Sequence, residues 1–262
     1  MDIGKIKSSR HYSIIKYGKQ VAQYCAGVAP AFDPTTIHEL RTTIKKLRAL
    51  LRWKDIEKKA FTNPFKKIYH TAGELRNAQL LLTRLKEKEL QLIRFKQWLN
   101  TMLIQFKINW ENWYRPKLLD QLQKKLENLK PDRRNHSAFF MKRIRKIKAI
   151  IDLPYPADEV LHEIRKMVKD MQYILEWVQK NGIDAGVITQ DISIQQLKYV
   201  GGHMGNYNDQ HIALILLSNY LMQETNVTAR REALLVQHRW EQQKNRQKNK
   251  LIQLLRTKFN SI

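Results

Sequence analysis

The chain has 262 residues, 43% of them hydrophobic, which is enough to bury a sizeable core and too many for a disordered tail. Lys and Arg outnumber Asp and Glu by 48 to 24, giving a net charge of +24 and a pI near 10.1. Such a charge opposes compaction and favours a polyanionic partner: nucleic acid, an anionic membrane surface or a phosphate polymer. The single cysteine, Cys25, excludes a disulfide framework and a cysteine metal cluster, and fits a reducing compartment. The first twenty residues hold no apolar signal core, and no run of about 18 apolar residues occurs, so the expectation is a cytoplasmic chain without membrane insertion.

In chain order, apolar residues at helical spacing predict helices at 5–26, 35–54, 63–87, 88–109, 111–129, 136–151, 157–181, 194–204, 206–224 and 228–259. Prolines 30, 34, 64, 116, 131, 154 and 156 fall at the breaks between these segments. Thr35, ahead of the first apolar residue and followed by Glu39, marks the start of the second helix. The only β-branched run is "VITQDISI" (Val187 to Ile194), flanked by Gly182 and Gly186. The fold class read from this pattern is all-α. Trp98, Phe106, Trp110 and Trp113 lie at near-helical spacing and are expected in the core, whereas the polar helix from Gln237 to Phe259 is expected to be solvated over most of its length.

An internal repeat follows. "IHELRTTIKKLRALLRW" (Ile37 to Trp53) aligns with "LHEIRKMVKDMQYILEW" (Leu161 to Trp177), with His, Glu, Arg, Lys and Trp in register. Downstream, "AGELRNAQLLLTRL" (Ala72 to Leu85) aligns with "MGNYNDQHIALILL" (Met204 to Leu217), matching Gly73 to Gly205, Arg76 to Asn208 and Asn77 to Asp209. Residues 1–130 and 131–262 therefore read as two related helical bundles.

The first repeat helix carries His38, Arg41, Lys45, Arg48 and Arg52 along one side. This stripe lies about 100° around the helix from the apolar stripe Ile37, Leu40, Ile44, Leu47 and Leu51, at the edge of the buried face. No acidic residue alternates within it, although a solvated helix gains from mixed-sign pairs. Like charges gathered beside a core cost free energy unless an anion neutralises them. In the second copy the stripe fades: His162, Arg165 and Lys169 are followed by Gln172 and Glu176.

The paired H-x-x-R helices (His38-Glu39-Leu40-Arg41 and His162-Glu163-Ile164-Arg165) precede the glycine segments Gly73-Glu74-Leu75-Arg76-Asn77 and Gly205-Asn206-Tyr207-Asn208-Asp209. Together they resemble the conserved histidine α-helical domain, CHAD, over nearly the whole chain. The resemblance implies a single domain spanning 1–262, with two helical bundles related by a pseudo-twofold axis and a basic surface or channel between them. It also implies non-catalytic binding of inorganic polyphosphate; granule targeting, storage and recruitment of a polyphosphate-metabolising enzyme are alternatives that the sequence does not separate. Two features depart from the pattern: Asn77 stands where the first copy usually has an acid, and Asp170 and Gln172 stand where the second often has bases.

Polyphosphate offers charge and oxygen acceptors but no bases to read, as in the sequence-independent part of nucleic-acid binding. Arg41, Arg48, Arg52, Arg76 and Arg165 can present two parallel donors to a phosphate, while Lys45, Lys166 and Lys169 supply mobile point charges. His38 and His162 can donate from one ring nitrogen and strengthen anion binding when protonated. Lys142 and Arg145 can extend the basic surface, and Asn208 with Asp209 is placed to orient basic side chains.

Nucleic-acid binding is the alternative; the chain has no recognised nucleic-acid motif and no evident aromatic platform for bases. An enzyme is disfavoured by the lack of HExxH, a Walker loop or G-x-S-x-G. The family's companion hydrolase barrel carries E-x-E-x-K, whereas "EKELQ" (Glu87 to Gln91) lacks the lysine. No cofactor or metal is expected.

Overall fold

The computed structural model describes residues 3–29, 31–88, 92–129, 136–182 and 192–260. In chain order these form α1 (Ile3–Val28), α2 (Pro34–Trp53), α3 (Glu57–Ala60), α4 (Asn63–Lys88), α5 (Ile93–Trp113), α6 (Pro116–Glu127), α7 (His136–Ile151), α8 (Asp158–Lys180), α9 (Ile194–Gln223) and α10 (Val227–Phe259). No strand occurs among the described residues, and positions 187–191 of the β-branched run lie outside them.

Helix α2 forms where its apolar spacing predicts, but its cap is Asp33 rather than Thr35. The Asp33 carboxylate accepts the Thr36 N–H at 2.7 Å, and Pro34 takes the first helical position, where no donor is required. Ile37, Leu40, Ile44, Leu47 and Leu51 are all buried, and each contributes about 1.5–3 kcal/mol of hydrophobic stabilisation. At the other end the chain reverses through Asp55 in the left-handed region (φ 55°). There Asp55 N–H bonds Arg52 O at 2.9 Å and Ile56 N–H bonds Leu51 O at 3.0 Å, a Schellman closure made without the usual glycine. The short α3 behind this turn was not evident in the apolar pattern.

The segments expected at 194–204 and 206–224 form one helix, α9. Its start is fixed by a Ser193–Gln196 capping box. Interior glycines cost about 0.5–1 kcal/mol each. Burial of Leu197, Val200, Met204, Tyr207, Leu214 and Leu217 offsets that cost, so Gly201, Gly202 and Gly205 do not break the helix. Helix α10 keeps most of Gln237–Phe259 open to solvent, but one face, with Trp240, Lys248, Leu251, Ile252, Leu255 and Phe259, is buried. Of the four aromatics expected in the core, Trp110 is buried, Trp98 and Phe106 are partly so, and Trp113 is exposed beneath the Lys67 ammonium.

Helix α2 packs against α1, α4 and α8, and α9 packs against α8, α10 and α4. The two halves of the chain do not keep separate interiors. The larger core joins α1, α2 and the first part of α4 to α7, α8 and the end of α10. A smaller one joins the end of α4 and the start of α5 to α9 and the start of α10. The two H-x-x-R helices thus lie side by side, with the glycine-motif helices α4 and α9 next to them.

Candidate polyanion-binding site

Arg41 lies along α4, with its Nη1 donating to Tyr69 O at 3.3 Å and its guanidinium over the Tyr69 ring at 5.1 Å. Gly73 makes this possible: a Cβ there would stand 2.2 Å from Arg41 Nη1. Gly205, the matching residue of the second copy, has nothing within 4 Å. The close approach on that side is instead at Gly201, where a Cβ would meet Lys169 Nζ at 3.0 Å and Cε at 3.1 Å. Lys169 Nζ donates to Gln172 Oε1 at 2.9 Å.

Arg41 and Lys45 from α2 meet Arg165 and Lys169 from α8. Burial, and then the charges of Arg41, Arg165 and Lys169, push Lys45 down to about 7, with Asp209 pulling weakly the other way. Burial and Arg165 lower Lys169 as well. Burial, with Arg165 and Arg76, works against the Arg41 charge. None of these four cations makes an ion pair with a carboxylate among the described residues, and Arg165 Nε is buried without a hydrogen-bond partner.

The ends of this cluster are lined by the other motif residues. Arg76 reaches Pro34 O at 3.4 Å and stands close enough to His38 to lower its pKa, after burial. His162 Nδ1 meets Asn208 Oδ1 at 3.0 Å, so this nitrogen carries the proton and donates. Burial and Lys166 lower the His162 pKa, and both imidazoles are neutral at pH 7. Lys166 is exposed and pairs with Glu163 at 2.7 Å. Lys142 and Arg145 lie on the exposed face of α7.

The rear of the α2 stripe is placed differently. Arg48 Nε pairs with Glu57 Oε1 at 2.6 Å and Arg52 Nη2 with the same oxygen at 3.3 Å. Arg52 Nη1 also pairs with Asp170 Oδ1 at 2.6 Å, and Arg143 Nη2 with Asp170 Oδ2 at 3.3 Å. Burial opposes the charge on Arg52, but Asp170 and Glu57 outweigh it and raise its pKa. Burial likewise opposes the Glu57 charge, and Arg52 and Arg48 hold its carboxyl below the usual range. Arg48 stacks over Phe61 at 4.9 Å and over Tyr69 at 5.1 Å, so Tyr69 touches both the front and the rear of the stripe.

Spacing within α2 revealed the stripe but not its partners, because Glu57, Asp170 and Arg143 come from α3, α8 and α7. A second constellation escaped the sequence for the same reason. Asp158, at the first turn of α8, accepts from Tyr207 Oη at 2.6 Å, from Lys248 Nζ at 2.8 Å and from Lys244 Nζ. These lysines and Tyr207 hold its carboxyl far below the usual range despite burial, tying α8 to α9 and α10. Among the described residues, no three His, Cys, Asp or Glu side chains are grouped to hold a metal ion, and no helix is long and apolar enough to cross a membrane.

The CHAD domain model matches residues 14–218. The fold is similar to the CHAD domain from the plant Ricinus communis, with a TM-score of 0.74 and 14% identity, covering 98% of this chain and 92% of that one. It is also similar to PptA from Streptomyces chartreusis, with a TM-score of 0.63 and 12% identity, covering 95% and 99%. No curated protein sequence matches. Identities this low speak for the fold alone, but the family model covers well over half the chain, through both H-x-x-R helices and both glycine motifs: the chain belongs to the CHAD domain family.

Proposed function

We propose that the protein binds inorganic polyphosphate, without catalysis, along a basic surface centred on Arg41, Lys45, Arg165 and Lys169. One observation carries this reading. These four cations are held together beside the core with no carboxylate paired to them among the described residues, and the more distant charges of Asp209 and Glu176 offset their repulsion only in part, leaving the rest for an anion from outside. His38, Arg76, His162 and Asn208 flank the same surface, Lys166 extends it towards solvent, and Lys142 and Arg145 add exposed positive charge on α7. The side-by-side packing of α2 with α8, and of α4 with α9, supports a pseudo-twofold relation between the two halves, with the basic surface at its centre. Action in the cytoplasm, on polyphosphate granules or beside polyphosphate-metabolising enzymes, belongs to the same proposal.

A polymer crossing from α2 to α8 engages sites that are already linked, so its second contact is effectively intramolecular. Long chains then bind more tightly than pyrophosphate or tripolyphosphate, and their affinity falls steeply with salt as counterions are released. The test is calorimetry over a ladder of polymer lengths at two salt concentrations, with single-stranded RNA of equal charge as competitor. Affinity that is flat from three units to long chains rules out the shared path. Preference for RNA at fixed salt moves the reading to nucleic acid. Phosphate release from tripolyphosphate with a divalent metal rules out the non-catalytic reading.

A further inference from the structure

The basic stripe of α2 is continuous as sequence but is interrupted electrostatically by an acid from the next turn of chain. Glu57 Oε1 accepts from Arg48 Nε at 2.6 Å and from Arg52 Nη2 at 3.3 Å, the arrangement in which a phosphate oxygen bridges two guanidinium groups. We propose that Glu57 is an internal competitor for the phosphate polymer, displaced by long chains, so that Arg48 and Arg52 serve as a second segment of the binding path open only to polymers that reach it. This rests on the polyphosphate reading and deepens it, naming a residue that sets chain-length selectivity.

The geometry distinguishes Glu57 from the other acid in the network. Asp170 is 5% exposed, belongs to the 23-residue α8 and is held by both Arg52 and Arg143, so it stays in place. The Glu57 side chain is 19% exposed, and the arginines it bridges are 23% and 22% exposed, so a polymer approaches all three from solvent. Glu57 opens a helix of only four residues, delivered by a turn that holds Asp55 at φ 55°, a conformation side-chain-bearing residues rarely adopt. Replacing Glu57 leaves Arg52 paired with Asp170 and leaves Arg48 stacked on Phe61 and Tyr69, so the cationic surface keeps its shape. Tyr69 lies under both Arg41 and Arg48, which puts the gated segment next to the front cluster.

The experiment compares tripolyphosphate and long-chain polyphosphate binding to the full chain and to Glu57→Gln. The exposed Glu241→Gln on α10 is a control for the same change in net charge, and circular dichroism verifies the fold of each variant. Glu57→Gln is expected to tighten long-chain binding about tenfold while tripolyphosphate changes less than twofold and Glu241→Gln alters neither. Adding Arg48→Ala to Glu57→Gln is expected to erase the gain. Should Glu57→Gln loosen the helix content, Glu57→Asp, which keeps the charge but is too short to bridge both arginines, is expected to give a smaller gain of the same kind. Long-chain affinity that is unchanged or weaker in well-folded Glu57→Gln overturns the proposal and leaves the polyphosphate reading standing. Failure of wild type and variant alike to bind any length overturns both.

Discussion

The front and the rear of the α2 stripe use the same residue types in opposite electrostatic surroundings. At the front, Arg41 and Lys45 meet Arg165 and Lys169, and Lys45 is pushed down to about 7. At the rear, Arg48 and Arg52 meet Glu57 and Asp170, and Arg52 is held more firmly protonated than a solvated arginine. The front stores repulsion, and the rear spends its charge on joining α2 to α3, α7 and α8. A run of like charges on one helix therefore does not declare its role; the residues that face it do.

The largest test of this contrast is on stability. Asp170→Ala leaves Arg143 partly buried without its acid and Arg52 with Glu57 alone, and is expected to cost about 3 kcal/mol in urea unfolding, the low end for a broken buried pair. Arg165→Gln removes one member of a repelling cluster and is expected to leave stability unchanged or raised. A stability loss from Arg165→Gln comparable to that from Asp170→Ala erases the distinction between front and rear.

Binding should reverse the ranking. Charged phosphate contacts contribute about 1.5–3 kcal/mol each at most, less when screened. The pair Arg41→Glu with Arg165→Glu is thus expected to weaken long-chain polyphosphate by about 100-fold or more in calorimetry and to abolish the length preference. Arg48→Ala is expected to cost less, because Glu57 already occupies it, and Gln172→Ala to cost least. Equal losses from Arg41→Ala and Arg48→Ala would show that the pairing with Glu57 does not limit the rear.

The pH dependence sharpens the contrast further. Lys45 titrates near 7 in the ligand-free protein, and a bound polyanion raises that value, so binding takes up a proton. Affinity is expected to hold below pH 7 and to fall above it by at most tenfold per unit, with a further gain at more acid pH as His38 and His162, whose pKa values burial lowers, protonate. Ligand-free stability runs the other way. Between about 7 and lysine's ordinary 10.5 the unfolded chain binds the extra proton, so stability rises with pH across that window. Calorimetry and thermal melts of wild type against Lys45→Met separate the two slopes, both of which the substitution should flatten.

The smallest effects belong to the glycines. Gly73→Ala displaces the Arg41 guanidinium from Tyr69 and is expected to weaken binding several-fold. Gly205→Ala meets open space on a helix and is expected to stabilise the protein by about 0.5–1 kcal/mol without touching affinity. A melt and a titration of each variant check the pair.

Local order was written in the sequence. The 3.6-residue apolar spacing gave the long helices within a few residues, as at 136–151, and the H-x-x-R and glycine segments marked the helices around the site. These features depend on neighbours along the chain, where side-chain period and covalent geometry leave few alternatives. Three things depended on tertiary packing: the unbroken α9, carried across Gly201, Gly202 and Gly205 by its buried face; the one buried face of α10; and the division of the basic stripe. In α2 the positions of Lys45 and Arg52 look alike on paper. Packing against α8 and the reversal through Asp55 put two further cations beside one and two carboxylates beside the other, and a charge takes its energy from whatever lies within a few ångströms, however distant in sequence.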